Sequence, residues 1–295
     1  MFGTRLAEAM AEHGPLCVGI DPHEHLLESW GLPVSAAGVR EFALRAVEEL
    51  SGTVAAIKPQ SAFFEQFGSA GVAALEETLA AAREAGILTV LDIKRGDIGS
   101  TMGAYAKAYL DPASALAADS ITVSPYLGFG ALEPAFELAA AHGRGVFVLA
   151  LTSNPEGREV QHAQGTHGAV AGTIVSQVAA RNSRALAAAD GSDAESPAAD
   201  GHAATMGPFG LVVGATIGEA ARELGIDPAD CGGPILAPGV GAQGAGIREL
   251  RAVFGDRALA SGQVLATASR AVLAAGPQGM AEAARDLNRA LSEFN

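Results

Sequence analysis

Eight short apolar runs recur along the chain, separated by alanine-rich stretches with apolar residues at helical spacing, and this alternation limits the available folds. Each run has the length of a buried strand and ends in a polar or glycine-containing turn. Eight strands that alternate with helices are typical of an α/β protein of the (β/α)8 (TIM) barrel class, although an open doubly wound sheet is the alternative. We predict strands at 16–20, 53–57, 87–91, 120–123, 145–151, 211–213, 235–237 and within 261–266, and helices at 73–85, 132–141, 169–187 and 218–224.

The chain of 295 residues is predicted to form one such domain, with one interruption. Residues 189–208 are polar, acidic and poor in large apolar side chains, which predicts an exposed insertion in the fifth crossover. Residues 1–13 indicate a short amphipathic helix without the apolar core of a signal peptide. No apolar run approaches the ~20 residues that cross a bilayer. We therefore expect a cytoplasmic protein without a membrane partner.

Charge and cysteine content exclude several classes of function. The net charge of −14 argues against nucleic acid as a partner, because nucleic-acid binders present basic surfaces. An anionic ligand would need a local basic pocket. Cys17 and Cys231 fit no metal-ligand spacing and are expected to be reduced core thiols. The histidines show no metal-binding pattern, and His23 and His25 are expected to face solvent.

Asp92, Lys94 and Asp97 lie within six positions directly after the third predicted strand. In a regular strand Asp92 and Lys94 leave from the same face, and Gly96 and Gly99 place Asp97 in the following turn. Charges at the end of a buried strand are costly unless they are paired, so a structural ion pair is one interpretation. The composition favours chemistry instead, because the chain has only three lysines, and a lysine, unlike arginine, can release its proton.

Lys58 ends the second predicted strand and is followed by a proline. A lysine in this position either extends to the rim of the barrel or faces its interior. If it faces inward, Lys58, Asp92 and Lys94 form an alternating array of charges. Opposite charges would then keep both lysines protonated and Asp92 ionised.

A glycine-rich loop at 238–244 follows the seventh predicted strand, and Arg270 follows the eighth. Backbone amides after Pro238, the Gln243 side chain and a bidentate Arg270 can together hold a phosphate, and barrels often bind phosphate at these two loops.

Two further strand ends carry polar side chains. Asp21, after the first strand, either caps a helix or binds a ligand hydroxyl. Ser153 and Asn154, after the fifth, form either a plain turn or a contact to the polar edge of a base.

The segment Asp92-Ile-Lys94-Arg-Gly-Asp97-Ile-Gly-Ser-Thr101 resembles the signature of the orotidine 5'-phosphate decarboxylases, in the longer-chain, type 2 branch of that family. The resemblance covers nearly the whole chain, from Gly19-Ile20-Asp21-Pro22 to Ser269-Arg270. It includes Lys58-Pro59-Gln60, Ser153-Asn154-Pro155, Gly214-Ala215-Thr216 and the loop 238–244.

This resemblance implies an enzyme that converts orotidine 5'-phosphate to UMP and CO2 in de novo pyrimidine biosynthesis, without a metal or an organic cofactor. It implies a homodimer with shared active sites, in which Asp97 and Thr101 come from the neighbouring subunit and Lys94 protonates C6 of the pyrimidine. The implied catalytic residues are Lys58, Asp92, Lys94 and Asp97. The candidate substrate-binding residues are Asp21 and Lys58 at the ribose, Ser153 and Asn154 at the pyrimidine, Pro238, Gln243 and Arg270 at the phosphate, and Thr101.

Two other functions stay open from the sequence. A metal-dependent sugar-phosphate aldolase or synthase resembles this chain in Asp-x-Lys-x-x-Asp, but would need a carboxylate where Lys58 stands. A non-catalytic nucleotide-binding barrel would be expected to have lost part of the charged set, and all four residues are present.

Overall fold

Eight parallel strands close into a barrel in the computed structural model, which describes residues 1–190, 206–241 and 244–292. The first strand pairs with both the second and the last, so the open doubly wound alternative is excluded. A two-stranded antiparallel hairpin (β6, β7) projects between the fifth and sixth barrel strands. The strands are β1 Leu16–Ile20, β2 Ala56–Pro59, β3 Leu88–Arg95, β4 Ser120–Val123, β5 Gly145–Leu151, β6 Gln164–Gly165, β7 Gly168–Ala169, β8 Phe209–Val213, β9 Ile235–Pro238 and β10 Val264–Ala268.

Helices follow the barrel strands and cover the outside of the sheet. Their apolar faces pack on the outward residues of the strands to form the larger of two buried clusters. The helices are α1 Phe2–His13, α2 Glu24–Ser29, α3 Ala36–Leu50, α4 Ala62–Glu65, α5 Gly68–Glu84, α6 Gly99–Leu110, α7 Glu133–Ala141, α8 Arg158–Gln161, α9 Val170–Asp190, α10 Ala220–Glu223, α11 Ile247–Ala260, α12 Arg270–Leu273 and α13 Met280–Ser292.

Helix α1 closes the amino end of the barrel. Its buried residues Phe2, Leu6 and Met10 join the inward residues of the strands in the second buried cluster. The Phe2 ring lies edge-on to Phe147, with 6.0 Å between ring centroids. It lies so close to Gly145 that a Cβ there would come within 2.3 Å of the ring. The barrel interior is therefore filled with apolar side chains at this end, and a polar pocket is left to the carboxyl end.

The predicted insertion at 189–208 is described only at its margins. Residues 189 and 190 end α9, and residues 206–208 lead directly into β8. Residues 191–205 lie outside the described residues, so the structure does not test the central part of this prediction.

Candidate active site

Three charged side chains meet at the carboxyl end of the barrel, one from β2 and two from β3. Lys58 Nζ donates a hydrogen bond of 2.9 Å to Asp92 Oδ2, and Lys94 Nζ donates one of 2.6 Å to Asp92 Oδ1. The side chains of Lys58 and Asp92 are each 7% exposed, whereas that of Lys94 is 44% exposed. One buried carboxylate is thus held between two ammonium groups, a set that we call the Lys–Asp–Lys array.

Mutual attraction decides the charge of the two buried groups. Burial alone would raise the pKa of Asp92, but the ammonium groups of Lys58 and Lys94 outweigh burial and hold this pKa well below its usual range. Burial alone would lower the pKa of Lys58, but the carboxylates of Asp92 and Asp21 raise it above its usual value. Lys58 and Asp92 are therefore both ionised at neutral pH.

Strand β3 enters the site with an irregular backbone. Its pairing with β4 shifts between Leu91 and Arg95, so that residues 92–94 lie opposite Thr122 alone. Lys94 has a φ of 46° and is the only non-glycine residue with positive φ among the described residues. Regular alternation along β3 was the reason to expect Asp92 and Lys94 on one face. The two charged side chains do meet, but a bulge in β3 brings them together.

Two uncharged side chains contact the array. The hydroxyl of Thr122 on β4, a residue that is 1% exposed, donates a hydrogen bond of 2.7 Å to Asp92 Oδ1. Lys58 Nζ also donates to Gln60 Oε1 over 3.3 Å. Neither Thr122 nor Gln60 had a predicted role. The signal for Thr122 was a hydroxyl within an apolar strand, and threonine is too frequent in strands for this to point to a site.

A cavity of about 450 Å³ opens beside the array at the ends of β1, β2, β9 and β10. The predicted binding residues Asp21, Pro238 and Arg270 line it together with Lys58. Asp21 Oδ1 and the Ser269 hydroxyl, which also lines the cavity, are buried without a hydrogen-bond partner among the described residues. Because buried polar atoms are normally paired, these two atoms indicate a polar ligand. The remaining lining residues are His23, His25, Gly239, Val240 and Thr267.

The lining of the cavity includes one lysine and one arginine. Lys58 on β2 contacts Asp92, and Arg270 begins α12 after β10. Among the ion pairs of the described residues none includes Arg270, so its guanidinium is available to an anion. Gln243, predicted beside it, lies outside the described residues.

Ser153 and Asn154 follow β5 and are not among the residues that line this cavity. They line a smaller space of about 70 Å³ together with Thr216, which follows β8. The Asn154 amide is already engaged, since it accepts from Thr152 Oγ1 over 2.7 Å and donates to Glu156 Oε2 over 3.1 Å. The structure thus places both residues on the carboxyl face but not against the Lys–Asp–Lys array.

Asp97 and Thr101 do not join the array within one chain. Asp97 is half-buried, and its Oδ1 accepts a hydrogen bond of 2.8 Å from the backbone amide of Ile98. Thr101 is exposed, and so is Ile98, at 61%. No ion pair of the described residues includes Asp97. Both residues lie on an outward-facing turn and the start of α6.

The donor groups of the site do not match a metal centre. No cluster of three or more His, Cys, Asp or Glu side chains suited to a metal occurs within the described ranges. The position where a metal-dependent relative would need a carboxylate holds the Lys58 ammonium, 2.9 Å from Asp92, and a protonated amine has no lone pair to give a metal. Cys17 and Cys231 are buried free thiols, and burial raises the pKa of each to about 12. Neither thiol is a nucleophile at neutral pH.

Comparison with known proteins gives one consistent result. Residues 14–287 match the sequence model of the orotidine 5'-phosphate decarboxylase / HUMPS family. The chain is 54% identical over 281 residues to an orotidine 5'-phosphate decarboxylase of Salinispora tropica, covering 95% of this chain and 92% of the relative. It is 50% identical over 295 residues to one of Corynebacterium glutamicum, covering 99% and 97%.

Solved structures agree with the sequence relatives. The crystal structure of an orotidine 5'-phosphate decarboxylase from Streptomyces avermitilis has 50% sequence identity to this chain and a TM-score of 0.87. The match covers 99% of this chain and 95% of the other chain. The OMP decarboxylase of Leishmania donovani is 30% identical, with a TM-score of 0.74 and coverage of 99% of this chain and 98% of the other.

Among the described residues, every helix is too short or too polar to cross a membrane.

Proposed function

The chain belongs to the orotidine 5'-phosphate decarboxylase family, and on that premise we propose that it converts orotidine 5'-phosphate to UMP and CO2. The observation that carries the proposal is the Lys–Asp–Lys array beside a cavity that Lys58 and Arg270 both line. A nucleotide monophosphate has the matching polarity, with a reactive pyrimidine at one end and a dianionic phosphate at the other. The ribose hydroxyls lie between them. They can form hydrogen bonds with Lys58 and with Asp21 Oδ1, which has no partner among the described residues.

The proposed chemistry needs charge stabilisation and one proton. When the bond between C6 and the carboxylate breaks, CO2 leaves and the electron pair stays on C6, where no adjacent carbonyl accepts it. A fixed ammonium group beside C6 stabilises this developing charge and then transfers its proton to C6, which gives UMP and a neutral amine. No metal or organic cofactor is required for either step.

Lys94 is the proposed proton donor, and its exposure supports this choice over Lys58. The Lys94 side chain is 44% exposed and can regain a proton from solvent after each turnover, whereas that of Lys58 is 7% exposed. Burial and two carboxylates fix Lys58 in place, and the raised pKa of Lys58 disfavours loss of its proton. Lys58 is therefore assigned to electrostatic stabilisation and to the ribose, and Asp92 to holding both ammonium groups.

We include in the proposal a homodimer whose active sites are completed by Asp97 and Thr101 of the neighbouring subunit. Within one chain Asp97 makes no contact with the array, although it follows Lys94 by three residues. Large apolar side chains are exposed on adjacent loops of the same face, with Ile98 at 61%, Tyr126 at 77% and Leu127 at 54%. An apolar rim around an incomplete site is what a second subunit would cover.

The proposal also places the reaction in de novo pyrimidine biosynthesis, since UMP is its product. The two free thiols support a reducing compartment such as the cytoplasm. Ser153 is assigned to the pyrimidine amide, with Asn154 beside it, and Pro238, Gln243 and Arg270 to the phosphate.

One experiment tests the reaction and separates it from the metal-dependent alternative. The purified protein is treated with a chelator and incubated with orotidine 5'-phosphate, while loss of the orotate absorbance is followed. We expect full activity after chelation. Activity that disappears on chelation and returns with a divalent metal would favour a metal-dependent sugar-phosphate type of chemistry, and no loss of absorbance in either case would refute decarboxylation.

The first prediction concerns the proton donor. Lys94→Ala should lower kcat by at least ~10²-fold, because the general acid is lost. Lys94→Arg should not restore activity, because arginine does not release a proton at neutral pH. Lys107→Ala, which removes the exposed lysine of α6, is the matched control and should keep wild-type kcat. A Lys94→Ala protein with more than about a tenth of wild-type turnover would contradict the assignment.

A further inference from the structure

The Thr122 hydroxyl makes three hydrogen bonds, which is its full capacity of one donor and two acceptors. It donates to Asp92 Oδ1 over 2.7 Å. It accepts from the backbone amide of Ile93 over 3.1 Å and from that of Lys94 over 3.0 Å. A single buried side-chain oxygen on β4 therefore connects the carboxylate of the Lys–Asp–Lys array with the backbone that carries the proton donor.

These contacts are a consequence of the bulge in β3. Because residues 92–94 lie opposite Thr122 alone, the amides of Ile93 and Lys94 have no regular ladder partner on β4. A buried amide without a partner is costly, and the Thr122 hydroxyl supplies one for both. The bulge also holds Lys94 at a φ of 46°, a conformation that a residue with a side chain adopts only when its surroundings fix it.

We propose that Thr122 is a positioning residue that holds the β3 bulge and thereby keeps the Lys94 ammonium against Asp92 in the orientation needed for proton transfer. The inference deepens the proposed decarboxylase function and rests on it for its kinetic consequence. Two separate connections support it, since Thr122 binds both the backbone of Lys94 and the Asp92 oxygen to which Lys94 Nζ donates over 2.6 Å.

The chemistry of threonine makes the role separable from simple packing. Thr122→Val keeps the shape of the side chain but removes the donor and both acceptors. The buried amide of Ile93, the partly buried amide of Lys94 and one carboxylate oxygen then each lose a partner, and the bulge is no longer stabilised by β4. Thr122→Ser keeps the hydroxyl and removes only a methyl group. Comparison of the two variants therefore separates the effect of the lost hydrogen bonds from the effect of the changed side-chain volume.

Thr89 offers a matched control on the same pair of strands. It is 3% exposed, and its hydroxyl donates to Asp119 Oδ2 over 3.0 Å and accepts from the Asp119 backbone amide over 2.9 Å. This threonine thus also joins β3 to an aspartate carboxylate and a backbone amide, but at the amino end of the barrel. Thr89→Val should destabilise the fold much as Thr122→Val does, without reaching the array.

The test measures kcat and KM for orotidine 5'-phosphate, binding of UMP, and the crystal structures of the variants. Thr122→Val should lower kcat by about 10- to 100-fold, the range expected when a hydrogen bond to a charged group is lost. Its KM and its affinity for UMP should stay within about threefold, because the phosphate and ribose contacts are unchanged. Thr122→Ser should restore kcat to within about threefold of wild type. Thr89→Val should likewise keep kcat within about threefold of wild type.

The crystal structures decide the inference independently of activity. In Thr122→Val the contact between Lys94 Nζ and Asp92 Oδ1, 2.6 Å in the wild type, should be broken, while Thr122→Ser and Thr89→Val should retain it. A Thr122→Val protein that keeps this contact, or keeps wild-type kcat, overturns the inference. So does a folded Thr122→Ser protein that loses kcat, and this outcome remains accessible if Thr122→Val does not fold. A wild-type protein without decarboxylase activity would refute the proposed function alone, because the contact would still report on Thr122.

Discussion

Asp92 is the residue on which the charges of the site depend, since both lysines of the array contact its carboxylate. The lowered pKa of Asp92 means that its contribution to stability is present above its unfolded pKa of ~4 and is lost as pH falls through the folded value. The raised pKa of Lys58 means the opposite, with stability present below ~10.4 and lost as pH rises through the folded value. Between these limits Asp92 and Lys58 are both ionised.

Asp92→Asn should therefore destabilise the protein most where Lys58 is charged. We expect a loss of about 3–5 kcal/mol in the free energy of unfolding at pH 7, because the buried Lys58 ammonium loses its main partner. The loss should shrink towards pH 10, because in the variant burial lowers the pKa of Lys58 and allows the neutral amine. Urea unfolding at both pH values measures this.

A matched control for this prediction is Asp286→Asn, which breaks an exposed ion pair with Arg289 on α13. Exposed pairs contribute little, so its effect should stay below about 1 kcal/mol at both pH values. A loss for Asp92→Asn that is equally small, or that grows towards pH 10, would show that the array does not hold Lys58 as described.

Arg270 is the lining residue predicted to bind the phosphate of the ligand. Arg270→Ala should weaken UMP binding by about 10- to 100-fold, the range for losing a hydrogen bond between charged groups. Uridine, which lacks the phosphate, should bind unchanged. Calorimetry with both ligands tests this, with Arg222→Ala, an exposed arginine paired with Glu219, as control. Equal losses for UMP and uridine would remove Arg270 from the phosphate site.

At the residue scale, the sequence identified charged residues better than it identified their contacts. Lys58, Asp92 and Lys94 were identifiable because charges at the ends of apolar strands require partners, and the structure brings the three together. Thr122 was not identifiable, because its importance depends on the bulge opposite it. The amides that make up this bulge carry no side-chain signature. Asp97 was expected to complete the site of a neighbouring subunit, and within one chain it makes no contact with the array.

At the scale of elements, strand positions were predicted where a strand is a plain apolar run, as in β1, β4 and β5. Three strands were placed too early, and one of them is β10, which was expected within 261–266 and runs from Val264 to Ala268. β2 was predicted at 53–57, but pairing begins only at Ala56, which lies beside Cys17 of β1. β3 was expected to end at 91 and continues to Arg95, because the bulge lets it pair again with β4 after the charged residues. Hydrogen-bonding partners set these limits, and the partner strands are distant in sequence.

The buried side-chain amide of Asn182 connects helix α9 with the barrel through hydrogen bonds. These bonds give a stability prediction at the scale of elements. Asn182 Nδ2 donates to the carbonyls of Phe209 and Cys231 over 2.7 Å each, and its Oδ1 accepts from the Phe209 amide over 3.0 Å. Asn182→Ala leaves three buried backbone groups unpaired and should cost about 3 kcal/mol. Chemical denaturation measures this, and the exposed neighbour Ser183→Ala should change stability by less than about 0.5 kcal/mol. Equal effects would show that Asn182 acts only as a helix residue.

At the scale of the whole molecule, the closed barrel followed from the alternation of elements, whereas the position of α1 did not. An amphipathic pattern predicts a helix with one buried face, but not which surface buries it. In the structure this face fills the amino end of the barrel. The homodimer, the single domain and the exposed insertion at 189–208 stay predictions.

A complementation experiment tests the shared site. Inactive Lys94→Ala and Asp97→Ala proteins are mixed in equal amounts under conditions that allow subunits to exchange. If Asp97 acts in the partner's site, each mixed dimer has one pocket with both residues intact and one with neither. Random exchange makes about half of the dimers mixed, so about a quarter of wild-type specific activity should return. If exchange is shown by mass spectrometry and no activity appears, Asp97 acts within its own chain.

The scarcity of lysine has a practical consequence for following this pocket in solution. Of the three lysines in the chain, Lys58 is enclosed, Lys94 is partly open and Lys107 lies exposed on α6. An acylating reagent should therefore mark Lys107 readily, Lys94 in proportion to its accessibility, and Lys58 hardly at all. Mass-spectrometric footprinting of just three side chains then reports pocket occupancy, since a bound nucleotide shields Lys94 while Lys107 serves as the internal standard.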